Sequence, residues 1–326
     1  MRATRLGAVL LLAPGLAACG GLRIAREPIP EGMLWPAQRP RVELVGVVAV
    51  QKRPGKLFSL LGGVQQTSLF ERPYGLTWQG EALVVADPAA RRLVRIAASG
   101  VVEASSTGEV GAPVGVAACA RGLVASDSIG GRLALLGPDL RRRRWLAEGL
   151  LRPSGVACLG DTIFVVETGR HQILALEPDG SRRRLGRRGD GPGEFNFPAA
   201  LVATNGGLLV GDTLNFRVQE IDAGSGAFRR SFGRLGDASG EMPRIKGLAQ
   251  DAEGQIWVSD AHTDSVSLYT GEGRLLMSLG GRGDLPGRFS FPAALAAGPD
   301  RKVAVADSLN ARIQVFRLVS PEERLP

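Results

Sequence analysis

The chain has two histidines, His171 and His262, and each closely follows an acid that ends an apolar run. His171 comes four residues after Glu167 in IFVVETGRH, and His262 two after Asp260 in IWVSDAH, with Asp264 just beyond. Imidazole nitrogens and carboxylate oxygens are the ligand types of a divalent metal, so Glu167, His171, His262 and Asp264 form a candidate ligand face. Metal-assisted chemistry would need these residues to converge on one point. Two turns that merely drifted in sequence would leave ordinary surface histidines in the same places. No H-E-x-x-H run and no Cys-x-x-Cys-His run occurs, which disfavours a zinc protease and a covalent haem protein. No catalytic residue, metal or cofactor is assigned from the sequence.

Both acids belong to a series. Strands ending in an acid recur as ALVVAD (Asp87), LVASD (Asp127), IFVVE (Glu167), LLVGD (Asp212), IWVSD (Asp260) and VAVAD (Asp307), spaced 40 to 48 residues apart. A proline-led strand precedes each acid, as in RPYGLTW from Arg72 and FPAALVA from Phe197, and a second apolar strand follows, as in RVQEID and RIQVFR. Six copies of such a unit predict a radial array, because a small sheet that is apolar on both faces must stack on neighbours, and a closed ring leaves few edges. The 45 glycines and 20 prolines fit many short strands joined by turns, and aromatics at 5% make a stacking surface for sugars or bases a poor fit.

The turn after each acid has its own chemistry. An arginine stands five residues on in four copies, giving Asp87/Arg92, Asp127/Arg132, Asp212/Arg217 and Asp307/Arg312. These read as ion pairs bracing the turn, worth ~0–1 kcal/mol each if exposed. Asn215 and Asn310 read as residues tolerating positive φ. The glycine-rich runs around Asp190, Asp237 and Asp284 repeat with the units and read as structural turns. Cys119 and Cys158 end the first strands of neighbouring units, and the spacing expected between such strands favours free thiols over a disulfide.

A proline strand, then V-x-D-T/S-x-N-x-R, then V-Q-V-F, resembles the NHL repeat, and GRRGDGPGEFNFP (186–198) and GGRGDLPGRFSFP (280–292) resemble the glycine-rich stretch preceding it. The resemblance covers roughly residues 71–318 and implies an all-β, six-bladed β-propeller. Virginiamycin lyases and amidating lyases resemble this repeat family and rely on histidines and a divalent metal, for which two histidines give little material. The sixth unit ends near Leu318 one strand short, so residues 41–50, RVELVGVVAV, are expected to close the ring from the N-terminus.

Residues 1–18 read as a signal peptide: two arginines, then an apolar run too short to span a bilayer. Leu16-Ala17-Ala18-Cys19 resembles a bacterial lipobox, which implies lipidation of Cys19. Residues 19–40, rich in proline, read as an extended tether, 41–318 as the propeller, and 319–326 as a C-terminal tail. The formal net charge is +8. Arg141, Arg142, Arg143 and Arg144, with Arg182, Arg183 and Arg184, form basic runs suited to anionic head groups, polyanions or an acidic protein, or to plain solvation. A secreted location argues against nucleic acid. The expectation is a lipid-anchored envelope protein that binds a partner protein or ligand, beside an electron-transfer or export complex, with a metal-assisted lyase or hydrolase as the alternative. Replacing Cys19 by alanine should release the protein from membranes on fractionation; a variant still firmly bound would refute lipidation there.

Overall fold

The structure, a computed structural model, describes residues 23–26, 29, 33–36, 41–51 and 69–319; the signal segment, Cys19 and residues 320–326 lie outside these. Six antiparallel sheets stand around a central channel and form a six-bladed β-propeller. Blades 1 to 5 cover 75–104, 113–147, 153–185, 198–232 and 245–280, each four strands running outward from the channel. Blade 6 takes three strands, Pro292–Ala297, Lys302–Asp307 and Arg312–Leu318, from the end of the chain.

The fourth strand of blade 6 is Val42–Gln51, with Val42 opposite Leu318 and Val48 opposite Ile313. Both ends of the chain therefore share one sheet. Val42, Leu44 and Val47 are buried in the core between blades 5 and 6, and Glu43 meets Arg317 at 2.7 Å. Part of the expected tether is also tied down: Arg23–Arg26 and Leu34–Trp35 both pair with Val42–Gln51, and Trp35 sets its ring edge-on to Phe316.

Each seam between adjacent blades holds its own apolar core, and the six cores close the circle. Second strands such as Gly207–Asp212 are buried throughout, as befits a strand covered on both faces. Around the channel the inner strands approach almost backbone to backbone. A Cβ at Gly115 would stand 2.1 Å from the Ser154 carbonyl oxygen, so only glycine fits there.

This close approach overturns the expectation of free thiols. Cys119 and Cys158 are disulfide-bonded, with Cα atoms 5.7 Å apart. They are not equivalent in their blades: Cys119 lies opposite Gly122 at the last step of its strand, whereas Cys158 lies opposite Ile163, one step earlier. That offset, on inner strands already close together, brings the two sulfur atoms into bonding range. The bond staples blades 2 and 3 on the side of the ring away from the acid turns.

Deleting residues 41–50 should remove those three buried side chains, at roughly 1.5–3 kcal/mol each, and leave blade 6 with an open edge. Thermal unfolding of the deleted chain should therefore show a large fall in Tm; an unchanged midpoint would refute closure by this segment.

Candidate functional site

Each inner strand starts at its proline on one face of the ring, and each second strand returns there to its acid. One face therefore carries all six acid turns and the loops that lead into the next blade. The acids are wholly or almost wholly buried. Each carboxylate accepts a backbone N–H from the segment that opens its own blade: Asp87 from Glu71 and Arg72, Asp127 from Ala112, Glu167 from Leu151, Asp212 from Asn196, Asp260 from Arg244, and Asp307 from Ser290. The second strand thus holds the entry of the first.

Blades 4 and 6 elaborate the joint. Asp212 receives Arg217 Nε at 2.9 Å, Asn215 Nδ2 at 2.8 Å and Gln219 Nε2 at 3.1 Å. The same donors continue into the glycine-rich loop, Arg217 to the Gly191 and Glu194 carbonyls and Asn215 to that of Gly189. Gln219 donates to the Glu194 carbonyl and accepts from the Gly193 N–H. Arg312, Asn310 and Gln314 repeat this around Asp307 and the loop at Gly283, Leu285 and Arg288. The motif spacing thus builds a loop clamp.

Among the four expected pairs, Asp127–Arg132 lies at 3.1 Å, Asp212–Arg217 at 2.9 Å and Asp307–Arg312 at 2.7 Å. The fourth differs. Arg92 donates to the Leu69 carbonyl, and Asp87 takes amide donors from Glu71, Arg72 and Ala90. The pairs also differ from exposed ones in that every acid is buried. For Asp127, burial pushes the carboxyl pKa up, but N–H donors from Gly130 and Ala112 and the Arg132 charge outweigh it and hold it below the usual range. In blade 3, Gln172 and Arg170 serve Glu167 where no arginine follows at the fifth position. In blade 5, Thr263 caps Asp260 and shares a hydrogen bond with Ser265.

The left-handed residue of each turn is the one after the asparagine position, not the asparagine itself. Arg91, Gly131, His171, Phe216, Asp264 and Ala311 all have φ between 50° and 63°. Asn215 and Asn310 contribute side-chain donors instead. From that left-handed position His171 reaches the next blade: its Nδ1 accepts the Phe197 N–H at 3.1 Å, and its ring sits edge-on to Phe197. Asp264 does the same for the Phe291 N–H at 2.7 Å. Burial, reinforced by Arg188, holds the His171 pKa below the usual imidazole range, which suits an acceptor nitrogen.

The four residues singled out as a ligand face are therefore dispersed. Glu167 and His171 belong to blade 3, His262 and Asp264 to blade 5, and blade 4 stands between. Three of the four serve the fold's own hydrogen bonds, while His262 is exposed and touches Asp260 through its backbone N–H. Among the described residues no group of three or more His, Cys, Asp and Glu side chains is arranged to hold a metal.

The basic runs lie elsewhere, at the outer edge of blades 2 and 3. Arg141 to Arg144 are exposed, Arg142 and Arg132 flank the Trp145 ring, and Arg143 meets Asp139 at 3.0 Å. Arg183 is engaged by Glu177 at 2.7 Å and by the Ala223 carbonyl, with Arg182 and Arg184 exposed beside it.

Sequence reasoning missed the apolar side of this face. Ile129, Leu214 and Leu309, each two residues after an acid, are exposed at the turn tips, Ile129 to 89%. Leu151, Leu235 and Leu285 are exposed in the loops leading into blades 3, 5 and 6. The other large exposed hydrophobics, Val101, Phe228 and Leu275, sit on or beside the outer strands. The signal was legible as an aliphatic residue at a repeated polar-turn position.

Comparison with known protein families finds no match, nor does comparison with curated proteins. Solved structures do match. A gluconolactonase from Xanthomonas campestris shares 16% identity at a TM-score of 0.60, covering 95% of this chain and 99% of that one. Virginiamycin B lyase from Staphylococcus aureus shares 13% at 0.57, covering 92% and 96%. An auxiliary nutrient binding protein from Bacteroides thetaiotaomicron shares 10% at 0.61, covering 78% and 70%. At these identities the likeness defines the class, a six-bladed β-propeller, and nothing narrower.

Arg312 is almost fully buried against Asp307, so Arg312→Met should cost about 3–5 kcal/mol by leaving that carboxylate uncompensated. Arg143→Ala at the solvated pair with Asp139 should cost less than about 1 kcal/mol. Denaturant unfolding of both variants checks this, and comparable losses would refute it.

Proposed function

We propose that the chain is a lipid-anchored bacterial envelope protein, a propeller of the NHL type, that docks a partner protein on its acid-turn face. The observation that carries this reading is the gathering of exposed aliphatics on that one face. Ile129, Leu151, Leu214, Leu235, Leu285 and Leu309 stand on turns and loops that buried hydrogen bonds hold in place. Apolar contact area on rigid supports is what an interface core needs, since little ordering entropy is lost on binding.

Two further observations support it. The Cys119–Cys158 bond suits an oxidising compartment such as the periplasm. The sequence ahead of the ring carries the lipobox-like LAAC, which would hold the propeller at a membrane. The NHL reading rests on the two crisp motif copies, VGDTLNFRVQEID and VADSLNARIQVFR. A metal-assisted lyase or hydrolase using Glu167, His171, His262 and Asp264 is disfavoured, because three of these serve inter-strand and inter-blade hydrogen bonds.

Photo-crosslinking residues placed at Ile129 and Leu309 should each trap the same discrete adduct in intact cells. One placed at Asp161, exposed in a turn on the opposite side, should trap none. Adducts from Asp161 alone, or none from any position, would contradict docking on this face.

A further inference from the structure

On the acid-turn face the mouth of the central channel gathers cations that lack a matching acid. Residues at the opening of the inner strands lie at the channel wall; in blade 5 one is Lys246, half-buried, and in blade 1 Tyr74, just ahead of its strand. Arg244, two residues before Lys246, is exposed at the rim. Its guanidinium carbon lies 5.6 Å from the centre of the Phe291 ring, and Lys246 Nζ lies 5.9 Å from the same ring. The two cations are thus gathered over one aromatic side chain. Arg152, exposed where blade 3 begins, is close enough for its charge to act on both Lys246 and Tyr74.

Among the described residues none of these three cations forms an ion pair. Asp260 is the acid that acts on Lys246, and its oxygens are taken by the N–H groups of Arg244, His262 and Thr263. Burial first, then the charges of Arg244 and Arg152, holds the Lys246 pKa below the usual lysine range. Burial pushes Tyr74 up to about 12, so its hydroxyl keeps its proton and can donate. Like charges gathered in a partly desolvated recess oppose folding, and a bound counter-charge relieves them.

The channel beneath is narrow, about 60 Å³ walled by glycine, alanine and aliphatic residues. It has room for ordered water but not for a whole organic ligand, which needs roughly 300 Å³ or more. A ligand must therefore present a small charged group to the rim and stop there. Planar guanidinium forks fit oxygen pairs, which selects carboxylate and phosphate over halide.

We propose that the channel mouth binds a single oxyanion, a carboxylate or phosphate group, between the guanidinium groups of Arg152 and Arg244 and the ammonium group of Lys246. Phe291 positions the last two, and the Tyr74 hydroxyl supplies a further donor. The site lies at the centre of the docking face but does not depend on a partner, since a free anion would fill it.

The test is thermal unfolding of the whole protein at neutral pH in inorganic phosphate, in acetate and in sodium chloride at matched ionic strength. Phosphate, acetate or both should raise the midpoint saturably above the chloride value, and which of them does so identifies the preferred group. Arg244→Gln and Lys246→Met should each weaken that apparent affinity about tenfold or more, the factor expected from losing one charge-assisted hydrogen bond. Arg142→Gln on the outer edge of blade 2 should respond like the wild type. Because Arg244 and Lys246 carry no ion pair, both variants should melt in chloride at or above the wild-type midpoint, which shows that they fold. An equal rise in all three salts, or an undiminished response in the Arg244→Gln, Lys246→Met double variant, would overturn the proposal.

Discussion

One interaction organises the ring: a buried carboxylate at the end of each second strand accepts a backbone amide from the segment that opens the same blade. The acid and its donor lie 15 to 17 residues apart in every blade. A buried charge without donors would cost several kcal/mol, so the joint persists only if it is fully formed. Positions on either side of the acid inherit their roles from it. The next turn must pass through a left-handed residue to start the third strand, and in blades 1, 3 and 5 the side chain of that residue, Arg91, His171 or Asp264, hydrogen-bonds the segment that opens the following blade. Arginine, asparagine and glutamine at fixed offsets carry the donors into the loop beyond.

The two sides of the propeller are consequently built for different tasks. On the acid-turn side, hydrogen bonds hold long loops still and leave aliphatic tips and a cationic rim facing solvent. On the other side, short turns link the strands and a disulfide joins blades 2 and 3. The N-terminal strand completes blade 6, and Trp35, ahead of it in sequence, packs at the seam with blade 5.

Much of this was legible in the sequence, because repeats report on positions every blade must fill alike. Six acids at near-regular spacing specified six blades, and a missing fourth strand at Leu318 pointed to the one supplied by Val42–Gln51. What escaped was what the repeat itself does not encode. His171 and Asp264 looked like ligands because their residue types differ from those of the other copies. Their backbone position turns them toward the next blade's amide, a geometry that emerges only once the blades pack. Cys119 and Cys158 looked equivalent in sequence but are offset by one residue in register. Arg92 fits the motif, yet its donors go to Leu69. The rim cations come from two blades that are not adjacent, Arg152 from blade 3 and Arg244 and Lys246 from blade 5, so no single copy of the repeat shows all three.

The central claim is that the acid holds the opening of its own blade and the loop before it. Hydrogen exchange of native Asp212→Ala, read at the amides of residues 189–197, tests it most directly. The account predicts that Gly193 and Asn196 lose protection together with the rest of this loop, while blades 1 and 2 keep theirs. Wild-type protection across 189–197 in that variant would show that the loop stands without the carboxylate, and would contradict the account.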